Sequence, residues 1–342
     1  MDKALQVRCG YFKRVGQEGR VEMTQSDKEL KMAEDMRGEL TGYCYRMLGV
    51  FAEAEDAVQD TLVRVWQGGH HVQNQASLKS WIYRVATNVC LDKLRQAKRR
   101  ALPMDLSDPA ITVIEPKETF EPSAWIGPFP DLAADPAVIT MGRESIRLSF
   151  IAILQALPPK QRAVIILNDV FQWSAKETAE ALDMSTAAVN SALQRARATI
   201  KQTQLKSDTL RKIDDDVDER LLASYVKAFE QYDIHALLAL FKECASLSMP
   251  PFTMWLRGKM DIASFYRATG SHCMGSRLIP VRANGNCPAF AQYMPAGEDG
   301  ILEPWAIHIL EIQEERIAHI HHFIDAKLFD SFRLPTIMRL DR

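Results

Sequence analysis

Residues 52–67 read AEAEDAVQDTLVRVWQ, and Ala54, Ala57, Val58, Leu62, Val65 and Trp66 recur at the three- and four-residue steps of a helix. Its other face carries Glu55, Asp56, Gln59, Asp60 and Arg64. A polar loop over 68–77 follows, with Gly68-Gly69 and His70-His71, and nothing nearby completes a metal site around the histidines. The helical period then returns over 78–101, where Leu78, Trp81, Ile82, Val85, Val89 and Leu94 form the apolar stripe. Trp81 is therefore expected in the core. Arg84, Lys93, Arg95, Lys98, Arg99 and Arg100 enrich the later turns.

A second helical pair is written over 173–200, WSAKETAEALDMSTAAVNSALQRARATI. Ser174 followed by Glu177 is a capping box and predicts a helix start. Asp183 stands where a left-handed turn residue is needed, a conformation its short polar side chain tolerates. Ser185 or Thr186 caps the next helix, with Val189, Leu193 and Ala196 inward and Thr186, Ala187, Asn190, Ser191, Gln194, Arg195 and Arg197 outward. Amide, hydroxyl and guanidinium groups on one helix face suit base edges and phosphates. The same pattern also fits an ordinary helical hairpin with a solvated face.

Between these blocks, residues 103–143 lack apolar periodicity, and seven prolines from Pro103 to Pro136 predict an extended, solvated linker. Beyond 208 the period changes. Residues 217–232 read as an amphipathic helix through Leu221, Leu222, Tyr225, Val226 and Phe229, and a short helix is expected over 233–241. Strand patterns follow over 245–249, 277–282, 289–294, 305–313 and 317–324. Helices preceding a strongly curved sheet predict an α+β cone.

Charge changes this picture only locally. The net charge is −2, yet residues 81–104 hold six basic side chains against Asp92 alone, while 105–143 hold seven carboxylates. Screening makes local clusters, not the total, decide phosphate binding. No apolar run is long enough to span a bilayer, and no signal-peptide core opens the chain. Six scattered cysteines without a CxxC pair point to a reducing, cytoplasmic setting. Residues 1–29 are expected to be a disordered extension, with Met23 as an alternative start.

Four motifs, AEDAVQDTLVRVW, SWIYRVATNVCLDKLR, LPPKQRAVIIL and the 173–200 pair, stand in the order of a known family. They resemble regions 2 and 4 of bacterial sigma-70 factors in the short form of the extracytoplasmic-function group. The resemblance implies two all-α domains, region 2 over 30–104 and region 4 over 144–206. It implies RNA polymerase core and promoter DNA as partners, and no cofactor, metal or catalytic residue. Asp56, Gln59, Asp60 and Arg64 would dock on the β′ clamp, and residues 157–169 on the β flap. Arg84, Asn88, Asp92, Lys93 and Arg95 would engage the −10 element, and Thr186, Ala187, Asn190, Ser191, Gln194, Arg195 and Arg197 the −35 element. Asn190 and Ala192 stand where many members carry Lys or Arg, and Ala86-Thr87-Asn88 where a more basic tripeptide is usual.

After a short linker at 207–216, MPPFTMWLRG, PVRANGNCPAFAQY and RIAHIHHFIDAKLFDSFRLP resemble the SnoaL-like division of the NTF2-like superfamily over 217–335. The resemblance implies a regulator acting in cis. His308, His319, His321, Asp261 and Asp325 are the titratable candidates there, and His319 and His321 share a strand face. They are read as half-buried strand residues. The alternatives are a small-molecule isomerase or cyclase, or a ligand sensor, in this domain. A response-regulator-like factor using only the helix-turn-helix is disfavoured, since it needs no melting module.

Overall fold

The computed structural model describes residues 25–68, 75–96, 99–110, 119, 121, 124–131, 143–206, 218–297 and 300–340. His70-His71, the 207–216 linker and residues 1–24 of the expected N-terminal extension lie outside them. From Gln25 the chain is already helical, as α1 (Gln25–Asp35), because Leu30, Met32 and Ala33 pack on the core that follows.

Helices α2 (Arg37–Leu48), α3 (Phe51–Gly68) and α4 (Gln75–Gln96) complete a first bundle. On α3 the predicted stripe is buried at Ala54, Ala57, Val58, Leu62 and Val65. Trp66 departs from it and is 52% exposed. At the end of the bundle only one residue of the Val65-Trp66 pair can turn inward. Trp81 is half-buried against the core rather than within it, whereas Tyr83 is fully buried.

The second bundle comprises α5 (Leu148–Gln155), α6 (Pro159–Ile165) running on through a π-turn to Val170, α7 (Ala175–Leu182) and α8 (Thr186–Lys206). The capping box forms as predicted: the Ser174 amide donates to Glu177 at 2.8 Å and the Glu177 amide to Ser174 Oγ at 3.2 Å. Asp183 takes the left-handed turn at φ 53°. Ser185, not Thr186, caps α8, accepting from the Ala188 amide at 3.1 Å.

The two bundles share a socket at the C-terminus of α2. A helix end leaves its last carbonyls unpaired, and here each finds a donor. Gly49 N–H serves Tyr45, Gln155 Nε2 serves Arg46 at 3.3 Å, Arg162 serves Met47 and Arg100 serves Leu48. Gln155 and Arg162 come from the second bundle. Arg162 is buried and also donates to the carbonyls of Gln155 and Leu157. Burial pulls its pKa down to about 10, with Arg100 and Arg99 nearby adding to the effect.

The C-terminal part opens with α9 (Glu219–Glu230) and α10 (Ile234–Ala239), both capped by aspartates, Asp218 and Asp233. Strands β1 (Phe241–Ser248) and β2 (Trp255–Arg257) precede α11 (Lys259–Arg267). Then come β3 (Arg277–Ala283), β4 (Cys287–Pro295), β5 (Ile301–Gln313), β6 (Arg316–Phe323), α12 (Leu328–Ser331) and β7 (Met338–Arg339). The five predicted strands all form, with β1 and β5 starting four residues early. Strands β2 and β7 and helices α11 and α12 were not foreseen. The sheet order is β2-β1-β6-β5-β4-β3 with β7 on β5, and only β1 and β6 run parallel.

Both faces of this sheet are covered. Phe290, Leu310 and Ile320 on the inner face pack with Tyr225 and Phe229 of α9 and Tyr266 of α11. On the outer face Ala289, Ala291, Ile307, Ile309 and Phe323 join one apolar core with both helical bundles. The 103–143 segment, expected to be a solvated spacer, is part of this packing where it is described. Trp125, Ile126 and Phe129 are buried, and the Phe129 ring lies between Tyr45 and Phe51 at 4.8 and 5.2 Å. Ala110 N–H donates to the Trp255 carbonyl of β2, and Trp255 Nε1 to the Ser107 carbonyl, both at 2.9 Å. Proline density ruled out a helix here, but three large apolar residues in seven still sought cover.

The β3–β4 turn is the knot of the assembly. Asn284, Gly285 and Asn286 all have positive φ. Asn284 Nδ2 donates to Tyr45 Oη at 2.8 Å and the Ile146 carbonyl at 2.9 Å, while its Oδ1 accepts from Phe129 N–H at 3.0 Å. The amides of Gly285 and Asn286 converge on the Asp131 carboxylate. One buried side chain thus ties both bundles and the linker to the sheet.

Candidate polymerase and promoter interface

Three helices carry the candidate residues, and the fold exposes them unequally. On α3, Asp56, Gln59, Asp60 and Arg64 are all exposed, beside Val63 and Trp66. The α4 residues adjoin them: Arg64 reaches Asp92 at 3.6 Å, Lys93 reaches Asp60 at 3.9 Å, and Arg95 closes on Asp92 at 2.7 Å. The residues expected for clamp docking and those expected for the −10 element therefore form one continuous charged surface. Exposed pairs of this kind contribute little stability, about 0–1 kcal/mol each, so they can exchange for other partners.

The upstream half of α4 is covered. The Arg84 guanidinium donates to the Glu180 carbonyl on α7. Trp173, just ahead of α7, packs on the Tyr83 ring at 4.8 Å, with the Lys79 ammonium 5.7 Å from the indole. Tyr83 donates to Glu39 at 2.5 Å, and burial with this carboxylate drives its pKa well up, so it stays a neutral donor. Of the Ala86-Thr87-Asn88 triplet only Asn88 is exposed; Thr87 is buried and bonded to Tyr43 at 2.7 Å.

On α8, Thr186, Ala187, Asn190, Gln194, Arg195 and Arg197 are exposed and Ser191 half-exposed. Val189, Ala192, Leu193 and Ala196 are buried, so the expected outward face is the one the fold presents. Arg197 is held by Asp169 at 2.6 and 3.0 Å, and Arg195 by Ser191 at 2.7 Å.

In the C-terminal domain the titratable candidates divide between the faces. His308 lies inside the cone, accepting from Tyr225 Oη at 2.9 Å on Nδ1 and meeting Gln292 Oε1 at 2.8 Å with Nε2. An amide oxygen only accepts, so His308 carries its proton on Nε2. His322, which the sequence reading passed over, stacks on it at 3.8 Å. Burial lowers the pKa of both rings. His319 and His321 share the outer face, as expected, but bond serines at 2.7 and 2.8 Å, Ser246 and Ser248 respectively. Asp325 accepts from the Lys327 amide, and Asp261 lies in the first turn of α11. Among the described residues no three His, Cys, Asp or Glu converge as metal ligands. Asn284 and Glu311 also escaped the sequence reading.

Residues 32–100 match the family Sigma-70 region 2, and residues 147–200 match Sigma-70, region 4. Over 312 residues the chain is 41% identical to the ECF RNA polymerase sigma factor SigG of Mycobacterium tuberculosis, spanning 88% of this chain and 82% of that one. The chain belongs to the extracytoplasmic-function group of sigma-70 factors. The sigma factor also shares 30% identity over 175 residues with SigJ of the same organism, about half of each chain. The crystal structure of SigJ superposes with a TM-score of 0.59 over 90% of this chain and 99% of that one. At 20% identity that match speaks for the fold, including the C-terminal α+β domain. The sigma factor directs promoter-specific initiation by RNA polymerase, and no described helix is long and apolar enough to cross a membrane.

Proposed function

We propose that this sigma factor is held closed by its own C-terminal domain, and that α4 must be uncovered before region 2 can engage the −10 element. The observation that carries this reading is the burial of Tyr83 and the engagement of Arg84 by region 4. A helix that opens promoter DNA needs its cations and aromatic rim free for phosphates and unstacked bases. In the closed form Arg84 is spent on a backbone carbonyl and Tyr83 on Trp173. The outer sheet face supports the arrangement through Asn284 and the buried linker.

Within this reading α3 docks on the polymerase clamp through Asp56, Gln59, Asp60 and Arg64. Helix α4 takes the −10 element through Arg84, Asn88, Asp92, Lys93 and Arg95. Helix α8 reads the −35 element from its exposed face, and the 157–169 segment meets the β flap. The protein acts where polymerase acts, in the cytoplasm. The C-terminal domain serves as a regulator rather than an enzyme, since both ring nitrogens of His308 are engaged by the protein itself.

Run-off transcription with core polymerase tests both levels. Asn284→Ala should raise promoter-dependent transcript from a cognate template while leaving its start point unchanged. Unchanged output would sink regulation by closure, and the absence of any promoter-dependent transcript from the wild type would sink the assignment of the helices. Paired Asp56→Ala and Asp60→Ala changes should weaken core binding; equal affinity would remove α3 as the docking face.

A further inference from the structure

The outer face of the sheet buries one acid that none of these roles uses. Glu311 lies on β5, beyond Ile307 and Ile309 on the face turned to region 4, and is 1% exposed. Its carboxylate accepts from the Ser149 amide in the first turn of α5. The residue at the N-cap of α5, Arg147, makes no side-chain cap of its own. A strand of the C-terminal domain thus supplies the cap that region 4's first helix lacks, close to where Asn284 holds the Ile146 carbonyl. The cap is incomplete, because Glu311 Oε2 is enclosed with no hydrogen-bond partner.

We propose that Glu311 is a proton-operated clasp between the C-terminal domain and region 4, tight when the carboxyl carries its proton and slack when it does not. The inference rests on the regulation by closure argued above. An ionised carboxylate with one oxygen sealed from donors is costly to bury. Arg147 and the Ser149 amide offset part of that cost, yet burial still holds the Glu311 carboxyl up at about 7. Once region 4 moves away the group is solvated and returns to the ordinary carboxylate range, about 4.3. Closing therefore takes up a proton between those values. Through this group the closed form is favoured most in acid, and that contribution is lost as pH rises from about 4.3 to about 7.

In the closed form the histidines of this face stay neutral across that window. Solvated on opening, they take up protons below about 6.5 and pull the other way, so the Glu311 contribution is the difference between wild type and Glu311→Gln. His319, the register partner of Glu311 on β6, is held down to about 4 by burial and by Arg257 and Lys242. His321 is held down to about 3 by burial and its neighbouring histidines. From region 4 the charged group that faces Glu311 is Arg147, and on the β4 side the buried Cys287 bonds the Asn284 carbonyl at 3.4 Å.

Two measurements on the full chain test the clasp. Infrared difference spectra, wild type against Glu311→Gln, should show a protonated carboxyl band that vanishes with a midpoint near neutrality. Arg147→Gln should move that midpoint upward, and this second variant keeps the test valid if the first folds poorly. Small-angle scattering should show the ratio of open to closed molecules in the wild type, taken relative to Glu311→Gln, rising on the order of tenfold between about pH 6 and about pH 8. The pH response left in Glu311→Gln is that of the histidines alone. A missing carboxyl band, an identical pH response in both proteins, or a wild type that stays wholly closed throughout would overturn the clasp. None of these readouts requires DNA, so a failure of the helix assignments would show separately, as lost transcription with the proton response intact.

Discussion

The two helices proposed to meet promoter DNA are treated in opposite ways. Helix α8 turns its outer face to solvent, with Ser191 half-exposed and Arg197 held by Asp169, while α4 has its Arg84 and Tyr83 engaged by region 4. On the proposed assignment the −35 reader is open in the free protein and the −10 reader is not. A factor built this way can test duplex sequence before it is able to open it. The proposed restraint falls on the step that exposes single strands, and it would act through aromatic packing and a helix-end carbonyl.

That contrast can be broken from either side. The largest effect is expected for Arg162→Ala, which strands the Met47, Gln155 and Leu157 carbonyls in the socket. A loss of about 3–5 kcal/mol is expected in urea unfolding. A loss within error would mean that the socket does not join the bundles. Trp173→Ala removes the ring over Tyr83 and should cost about 2–3 kcal/mol. It should also strengthen binding of the free protein to an open −10 bubble, read by fluorescence anisotropy; weaker binding would make Trp173 a DNA contact instead of a cover.

Asn190→Ala addresses the uncovered helix. If this amide reads a base, discrimination at one −35 position should fall by about 1–3 kcal/mol in a binding-site selection, with bubble binding unaffected. Uniform weakening across all sequences would reassign it to phosphate. Smaller again is Ser174→Ala, which opens the capping box at the start of α7 and should cost about 1 kcal/mol in thermal unfolding. No change would mean that Glu177 caps alone.

The sequence made the helices of both bundles legible, because each carries its own local signals. Ser174 and Glu177 mark a start, and Asp183 marks a turn. Ala54 to Val65 mark a buried arc. What it hid was the docking, which depends on residues far apart in the chain. Asn284 stands in the Asn-Gly-Asn run between β3 and β4, and its three side-chain bonds to residues 45, 129 and 146 leave no local trace. Trp66 was misplaced because periodicity cannot say where a bundle ends. One clue was readable and passed over. Residues 306–312 read AIHILEI, apolar at both odd and even positions. A strand of that kind is covered on both faces, so a second layer had to exist. Glu311 in that run is an acid with nowhere to meet water.

The late position of β5 has a consequence for the birth of the protein. Translation releases domains in order, and they fold as they emerge. Both helical bundles are complete by Lys206, more than a hundred residues before Glu311 leaves the ribosome. The parallel seam between β1 and β6 cannot zip until Phe323 has been made. If the C-terminal domain is the restraint proposed here, every new molecule passes through an unguarded youth, with both helical bundles finished and that restraint unbuilt.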